Sequence, residues 1–344
     1  MHYYLGWVLI SFAATFGLMI PFINLLYRLK FQRGKETEEI RKDATKNFYK
    51  IREMHAVKAG VPTGGGIIVA FVVTVLFVVV AWVMISRGQL FSGHPMWWEL
   101  AVLFYTLTGF GLLGLYDDLM KIFGFAKTGF FGLRMRHKLI LQFILGIGTA
   151  VMLYWGLGIN FINIPFVGLV RLGWWYLPMA VVLVVGFANS FDFTDGLDGL
   201  STGLLMVCLW AFWVISFQDL DHVLSLFIAI WQGAVIAYLY FNIFPARLML
   251  GNVGGLSFGA GLAVIGLLSG KIVALLIIGG VFIAEGMSSL LQLFSKRFMK
   301  RRIFPIAPFH HWLQLLGWEE PKIVARAWLT GAALALFGVW LAML

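Results

Sequence analysis

Gly64-Gly-Gly-Ile-Ile-Val-Ala-Phe-Val-Val-Thr-Val-Leu-Phe-Val-Val-Val-Ala-Trp-Val-Met-Ile-Ser86 runs for 23 residues without a charge. An apolar stretch of about 20 residues is what a helix needs to cross the hydrocarbon core of a bilayer. There is no water inside a bilayer to satisfy backbone N–H and C=O groups, so a run of this kind has to be helical. Comparable runs lie near 4–26, 97–116, 138–157, 174–191, 199–217, 222–242, 256–270, 271–293 and 323–344. Only Gly270-Lys271 separates 256–270 from 271–293, so ten spans are expected, with nine if that pair is not two full crossings. The first run lacks a basic leader and precedes a basic loop, which reads as a retained span and not a cleaved signal. The expectation is an all-α polytopic membrane protein, with one integral membrane domain over residues 1–344.

The composition agrees. Of 344 residues, 61% are hydrophobic and 12% charged, and the mean hydropathy is +0.90. A soluble domain carries about 25% charged residues, so a soluble enzyme is excluded, as is a disordered chain. One cysteine, Cys208, excludes a disulfide-stapled module and reads as packing.

The net charge of +10 is a matter of position. Lys and Arg concentrate in the loops after the first, third, seventh and ninth spans, which hold 23 of the 26. Arg87, Arg171 and Lys271 fall on the other side. Basic loops stay cytoplasmic, so both termini are expected to face outward and the basic face to meet the cytosol and anionic lipid. Nucleic acid is not an expected partner. Trp97, Trp98, Trp174, Trp175 and Tyr176 sit at span ends, where interfacial aromatics belong.

Acids are scarce, which makes their grouping informative. Five of the eight Asp fall in two clusters at span ends on the basic face: Asp117-Asp118, and Asp192, Asp195, Asp198. Adjacent carboxylates repel unless a cation lies between them, and hard oxygen ligands of this kind suit Mg²⁺. The second cluster, at i, i+3 and i+6 with Gly196 and Gly199 interleaved, is expected to converge on one point as a helix face or an unwound segment. Lys58-Ala-Gly-Val-Pro-Thr-Gly-Gly-Gly66 at the start of a span has the composition of a phosphate cradle or simply of a helix start. Asn252-Val-Gly-Gly has the same two readings. Adjacent His310 and His311 follow two prolines and lack a third zinc ligand at metal spacing. Glu285 lies inside an apolar run and needs a partner or a cavity. Together these residues favour Mg²⁺-dependent chemistry on a cytosolic phosphorylated substrate with a lipid co-substrate. A cation transporter, the rival class, would set its acids near the midplane.

The motifs resemble those of the polyprenyl-phosphate N-acetylhexosamine-1-phosphate transferases. The resemblance covers nearly the whole chain. It rests on Lys58-x-Gly-x-Pro-Thr63-x-Gly-Gly, Gly114-Leu-Tyr-Asp-Asp-x-x-Lys121 with Arg136-His-Lys138, and Asn189-x-x-x-x-Thr-Asp-Gly-Leu-Asp-Gly-Leu200. It continues through Phe241-Asn-x-x-Pro-Ala246, Glu285 with Gln292, and Arg302-Ile-Phe-x-x-Ala-Pro-x-His-His311 with Gly317-Trp-x-x-Pro321. It implies that undecaprenyl phosphate attacks the β-phosphorus of UDP-N-acetylmuramoyl-pentapeptide, giving lipid I and UMP with Mg²⁺ as cofactor, in the bacterial cytoplasmic membrane and as a homodimer. A sibling activity on another UDP-N-acetylhexosamine, or a non-catalytic or transport role, are the alternatives. By the same resemblance Asp117, Asp118, Asp195 and His310 are catalytic. Lys58, Thr63, Lys121, Asn189, Asp198, Asn242, Gln292, Ala307 and His311 bind substrate, and Asp118, Asp192 and Asn252 hold the metal.

The chain departs from that pattern at several positions. Asn252 stands where the family has a metal-binding Asp, Gly255 where it has Ser, Met249 where it has Phe, and Asp192 where it has Asn. Val61 replaces Thr and Trp312 replaces a third His. One reading is a family member with altered substrate or none. Another is an exchange in which Asp192 supplies the carboxylate lost at Asn252, so that Asp192→Asn abolishes activity and Asn252→Asp is tolerated.

Overall fold

The computed structural model describes residues 2–32, 46–55, 58–88, 90–123 and 135–344. The basic residues Arg33, Lys35, Arg41, Lys42, Lys127 and Arg134 lie outside the described residues. The chain forms α1 (His2–Arg28), α2 (Lys46–Met54), α3 (Gly65–Ser86), α4 (Met96–Ile122) and α5 (Met135–Val151). A short antiparallel hairpin follows, β1 (Phe161–Ile164) and β2 (Gly168–Arg171), with Phe161 opposite Arg171 and Ile164 opposite Gly168. Then come α6 (Tyr176–Thr194), α7 (Leu200–Gln218), α8 (His222–Asn242), α9 (Gly251–Leu268), α10 (Ile272–Ile278), α11 (Gly280–Phe298), α12 (Phe309–Leu315) and α13 (Glu320–Ala342).

Among the described residues nine helices are long and apolar enough to cross a membrane, and α10 with α11, a pair bent by 76°, makes ten if it is counted as one span. The protein is an all-α polytopic membrane protein, and the ambiguity at 256–293 now has a cause. The break at Gly270-Lys271 is real and ends α9. A second break, not expected from the sequence, falls at Gly279, where a Cβ would stand 2.5 Å from the Phe187 ring of α6. The absence of a side chain at Gly279 leaves room for that ring.

Helices α8 and α9 form the centre, each 89% buried, whereas α1 is 22% and α13 28% buried and both face outward. Side-chain size sets how close α9 comes to its neighbours. A Cβ at Gly114 of α4 would meet the Asn252 carbonyl oxygen at 2.2 Å, and one at Gly66 of α3 would meet the Gly254 nitrogen at 2.2 Å. Small residues let transmembrane backbones touch, and here they bring the end of α4 against the start of α9. Cys208 is buried in α7 and its thiol reaches the Ile278 carbonyl, as a packing residue.

Both described chain ends lie on the face opposite the functional cluster. Tyr4 hydrogen-bonds His222 at the start of α8, and Lys271 donates to the Ala342 carbonyl at 2.6 Å. Trp97, Trp98, Trp174 and Trp175 are exposed, as belt residues should be. Tyr176 corrects the expectation: it is fully buried, at the start of α6 just after the short Gly173–Trp175 turn.

Candidate active site

On the other face the helix ends gather. The last turn of α4 carries Asp117 and Asp118, both almost fully buried. Lys121, one turn further on, pairs with Asp117 at 3.0 Å. Lys138, in the first turn of α5, lies between Asp117 (3.3 Å) and Asp192 of α6 (3.0 Å). The start of α9 closes the cluster. The Asn252 backbone N–H donates to Asp118 Oδ2 at 2.8 Å, and Val253 N–H reaches the same oxygen at 3.4 Å. The positive end of a helix is a ready site for an anion, and here it is taken by a carboxylate of the chain itself. The Asn252 side-chain amide donates to Asp118 Oδ1 at 2.8 Å and to Asp117 Oδ2 at 2.9 Å. A Cβ at Gly255, one turn along α9, would stand 2.6 Å from Asp192 Oδ1. The departures at 192 and 255 therefore meet: the carboxylate occupies the space that the missing side chain leaves.

The expected metal ligands Asp118, Asp192 and Asn252 do not fit a resident Mg²⁺ in this arrangement. Asp118 spends both oxygens on N–H donors, Asp192 pairs with Lys138, and Asn252 turns its nitrogen, not its oxygen, toward the two carboxylates. Among the described residues there is no group of three His, Cys, Asp or Glu side chains that would hold a metal ion.

A second cluster sits at the break between α6 and α7. Lys58 reaches Asp198 at 2.7 Å and Glu320, in the first turn of α13, at 2.5 Å. Asp198 also accepts from Ala246 N–H (2.9 Å), while its own N–H donates to Glu320 at 2.6 Å. Asp195 accepts from the Ser201 hydroxyl at 2.5 Å. Burial pushes the Asp195 carboxyl up to about 7; Ser201 and Lys58 oppose the rise, and Asp192 and Asp198 add to it. The three carboxylates thus do not converge as expected. Helix α6 stops at Thr194 and Gly199 turns left-handed (φ +75°). The i, i+3, i+6 spacing is therefore never realised on one helix, and Asp192 and Asp198 serve different lysines.

His310 opens α12. Its backbone N–H and its Nδ1 both meet the buried Glu285 carboxylate, at 3.1–3.2 Å. Its Nε2 has no hydrogen-bond partner among the described residues and abuts Gly196, where a Cβ would lie 2.3 Å away. His311 pairs with Gln314 at 2.9 Å, and Gln314 also contacts His55. Burial first, then His310, pushes His311 down to about 3. Burial first, then Lys58, pushes His55 down to about 4. Both rings are neutral at physiological pH.

Several expected substrate contacts are already committed within the chain. Asn242 accepts from Gly199 N–H and the Thr202 hydroxyl and donates to the Leu248 carbonyl, stapling the α6–α7 break to the end of α8. Gln292 accepts from Ile303 and Phe304 N–H and donates to the Phe304 carbonyl, which fixes the loop before the half-buried Ala307. Asn189 lies one turn deeper than Asp192 and donates to Gln142 at 2.7 Å. The glycine cradle is closed. Thr63 N–H binds the Phe31 carbonyl, Gly64 and Gly65 bind Met249, and Gly66 binds Leu250. Those glycines serve close packing, with Thr63 held near Gly251 and the Asp118 carboxylate.

The sequence did not point to Glu320, to the bridging position of Lys138 or to the His55–Gln314 contact. Glu319-Glu320 has the same adjacency in an acid-poor chain that marked Asp117-Asp118, so the signal was present. Lys138 stands in the Arg136-His-Lys138 motif, which marks it without giving it a role, and Glu285 finds the partner it needs in His310.

Residues 100–270 match the family model described as glycosyl transferase family 4. Proteins named phospho-N-acetylmuramoyl-pentapeptide-transferase are similar over nearly the full chain. The one from Bacillus pumilus is 32% identical over 97% of this chain and 96% of its own length. Halalkalibacterium halodurans has one at 33% identity over 97% and 96%, and Bacillus subtilis one at 32% over 94% and 92%. The chain belongs to the phospho-N-acetylmuramoyl-pentapeptide-transferase family, a group of bacterial multi-pass membrane glycosyl transferases.

Proposed function

We propose that the protein transfers phospho-N-acetylmuramoyl-pentapeptide from its UDP derivative to undecaprenyl phosphate at the cytoplasmic face of the membrane, forming lipid I and releasing UMP. The observation that carries this is the gathering of Lys58, Lys121 and Lys138 with Asp117, Asp192 and Asp198 on one face, in a chain that aligns end to end with relatives bearing that name. The concentration of basic residues in the loops of that face supports a cytosolic position for it.

The reaction joins two anions, so positioning and charge neutralisation are the main work of the protein. Lys121, the most exposed member of the first cluster, and Lys138 behind it supply positive charge to the lipid phosphate. Asp117, held between those lysines, accepts a proton from the phosphate or orients it. An oxygen of the lipid phosphate forms the new bond to the β-phosphorus, and the bond to the UMP oxygen breaks. Lys58 exchanges Glu320 for the donor's phosphates, and His310 offers its buried Nε2, unpartnered among the described residues, beside the α6–α7 break. Magnesium enters this reading as the counter-ion of the donor's diphosphate. A homodimer remains part of the proposal.

The test is purified protein in detergent with MgCl₂, undecaprenyl phosphate and UDP-N-acetylmuramoyl-pentapeptide, scoring UMP and the lipid product. Both are expected. Release with UDP-N-acetylglucosamine alone assigns the sibling activity, and release with neither donor overturns a catalytic role.

A further inference from the structure

The Asp117–Asp118 pair is surrounded by donors that belong to the chain. Asn252 contributes its amide nitrogen to both carboxylates (2.9 and 2.8 Å) and its backbone N–H to Asp118 (2.8 Å). Lys121 and Lys138 contribute ammonium groups at 3.0 and 3.3 Å to Asp117. Asp192, the third carboxylate, is held by Lys138 at 3.0 Å. A divalent cation needs oxygen lone pairs converging on it, in near-octahedral geometry for Mg²⁺. An amide nitrogen donates only and has no lone pair to give. Asn252 thus sits between the two carboxylates with the polarity of a cation, not of a ligand.

We infer that Asn252 and Lys138 take the place of a resident divalent cation at Asp117, Asp118 and Asp192, and that residue 252 sets the cation affinity of this cluster. The claim stands on the cluster's geometry and holds whatever donor the enzyme accepts. A carboxylate at 252 reverses the situation. Three acids would face one another within hydrogen-bonding range, and repulsion would leave the site in need of a cation or a proton. Binding to the folded state alone then appears as stabilisation that grows with cation concentration.

The experiment is thermal unfolding of wild type, Asn252→Asp and Asn252→Asp/Asp118→Asn in detergent without substrate, in EDTA and through millimolar MnCl₂ or MgCl₂. The wild-type midpoint is expected to be flat. N252D is expected to unfold earlier in EDTA and to rise saturably with Mn²⁺, binding it at least about tenfold tighter than wild type, with the response lost when Asp118 is also changed. A saturable sub-millimolar Mn²⁺ response in wild type that Asp118→Asn removes overturns the inference, as does an N252D protein that ignores Mn²⁺. Should N252D fail to fold, Mn²⁺ electron paramagnetic resonance on wild type decides alone. No bound ion sustains the inference, and one ion per chain, lost in D118N, refutes it. Failure of UMP release would count against the transfer reaction and leave this result standing.

Discussion

Two lysines in this protein each stand between two carboxylates from different helices, yet the surroundings differ. Lys138 joins Asp117 and Asp192, and all three residues ride on membrane-spanning helices whose positions are fixed by packing. Lys58 joins Asp198 and Glu320 in a knot of helix ends, where both acids also take backbone N–H groups, from Ala246 and from Asp198 itself. In the first arrangement Asp117 keeps Lys121 and the Asn252 amide when Lys138 goes, and Asp192 loses its ion pair. The second distributes its acids over backbone donors that remain when the lysine goes. Breaking a buried pair by removing one partner costs about 3–5 kcal/mol, whereas losing a hydrogen bond to a charged group costs about 1.5–3 kcal/mol. Lys138→Met is therefore expected to destabilise the protein more than Lys58→Met, by at least about 1 kcal/mol, while both abolish UMP release. Unfolding in detergent with parallel UMP assays measures this, and equal stability losses would break the contrast.

A sharper probe of the first cluster is the space beside Asp192. Gly255→Ser places a Cβ about where Asp192 Oδ1 lies now, and overpacking of this kind costs about 1–3 kcal/mol. Asp192→Asn in that background removes the charge and is expected to recover part of the loss. A double-mutant cycle should give a coupling of about 0.5–3 kcal/mol, as for residues in contact. A coupling near zero would mean that Gly255 and Asp192 accommodate one another independently.

The contrast also explains what the sequence could show. Spans were legible because hydropathy is local and lipid enforces it. The break at Gly279 was not, and the Phe187 ring that packs against this glycine comes from 92 residues away in the chain. Acid scarcity singled out Asp117, Asp118, Asp192, Asp195 and Asp198, and the structure gathers them on one face. How they divide between Lys138 and Lys58 depends on where α6 stops and on which helices lie opposite, and neither is written in the i, i+3, i+6 spacing. The same limit leaves two readings of Gly64–Gly66 open in the sequence, a cradle or a plain helix start, and the structure shows the helix start. A glycine-rich helix start is an anion cradle only if its N–H groups are free, and here Met249 and Leu250 hold them. Asn242 and Gln292 teach the converse: residues marked for substrate can be fully employed in shaping the loops that line a site.

The smallest expected effect lies between the two lysines, at Asp195, whose carboxyl is pushed up to about 7 by burial. In an unfolded chain an aspartate titrates near ~3.9. Between those values the folded protein keeps the proton and the unfolded chain releases it, so Asp195's contribution to stability falls as pH rises from about 4 to 7. His311 and His55, pushed down to about 3 and 4, act with the opposite sign. The unfolded chain takes up their protons below about 6.5, so their contribution is lost as pH falls through that range. Raw pH profiles mix the two, and the difference between variants separates them. Asp195→Asn minus wild type should increase in stability from about pH 4 to 7 and level off above, with an amplitude on the order of 1–2 kcal/mol after solvent screening of a half-buried group. Thermal midpoints of both proteins across that range measure it. Parallel curves would mean that Asp195 is already ionised in the folded state, with Lys58 reaching it as well as Asp198, and the two clusters would then be one continuous charge network.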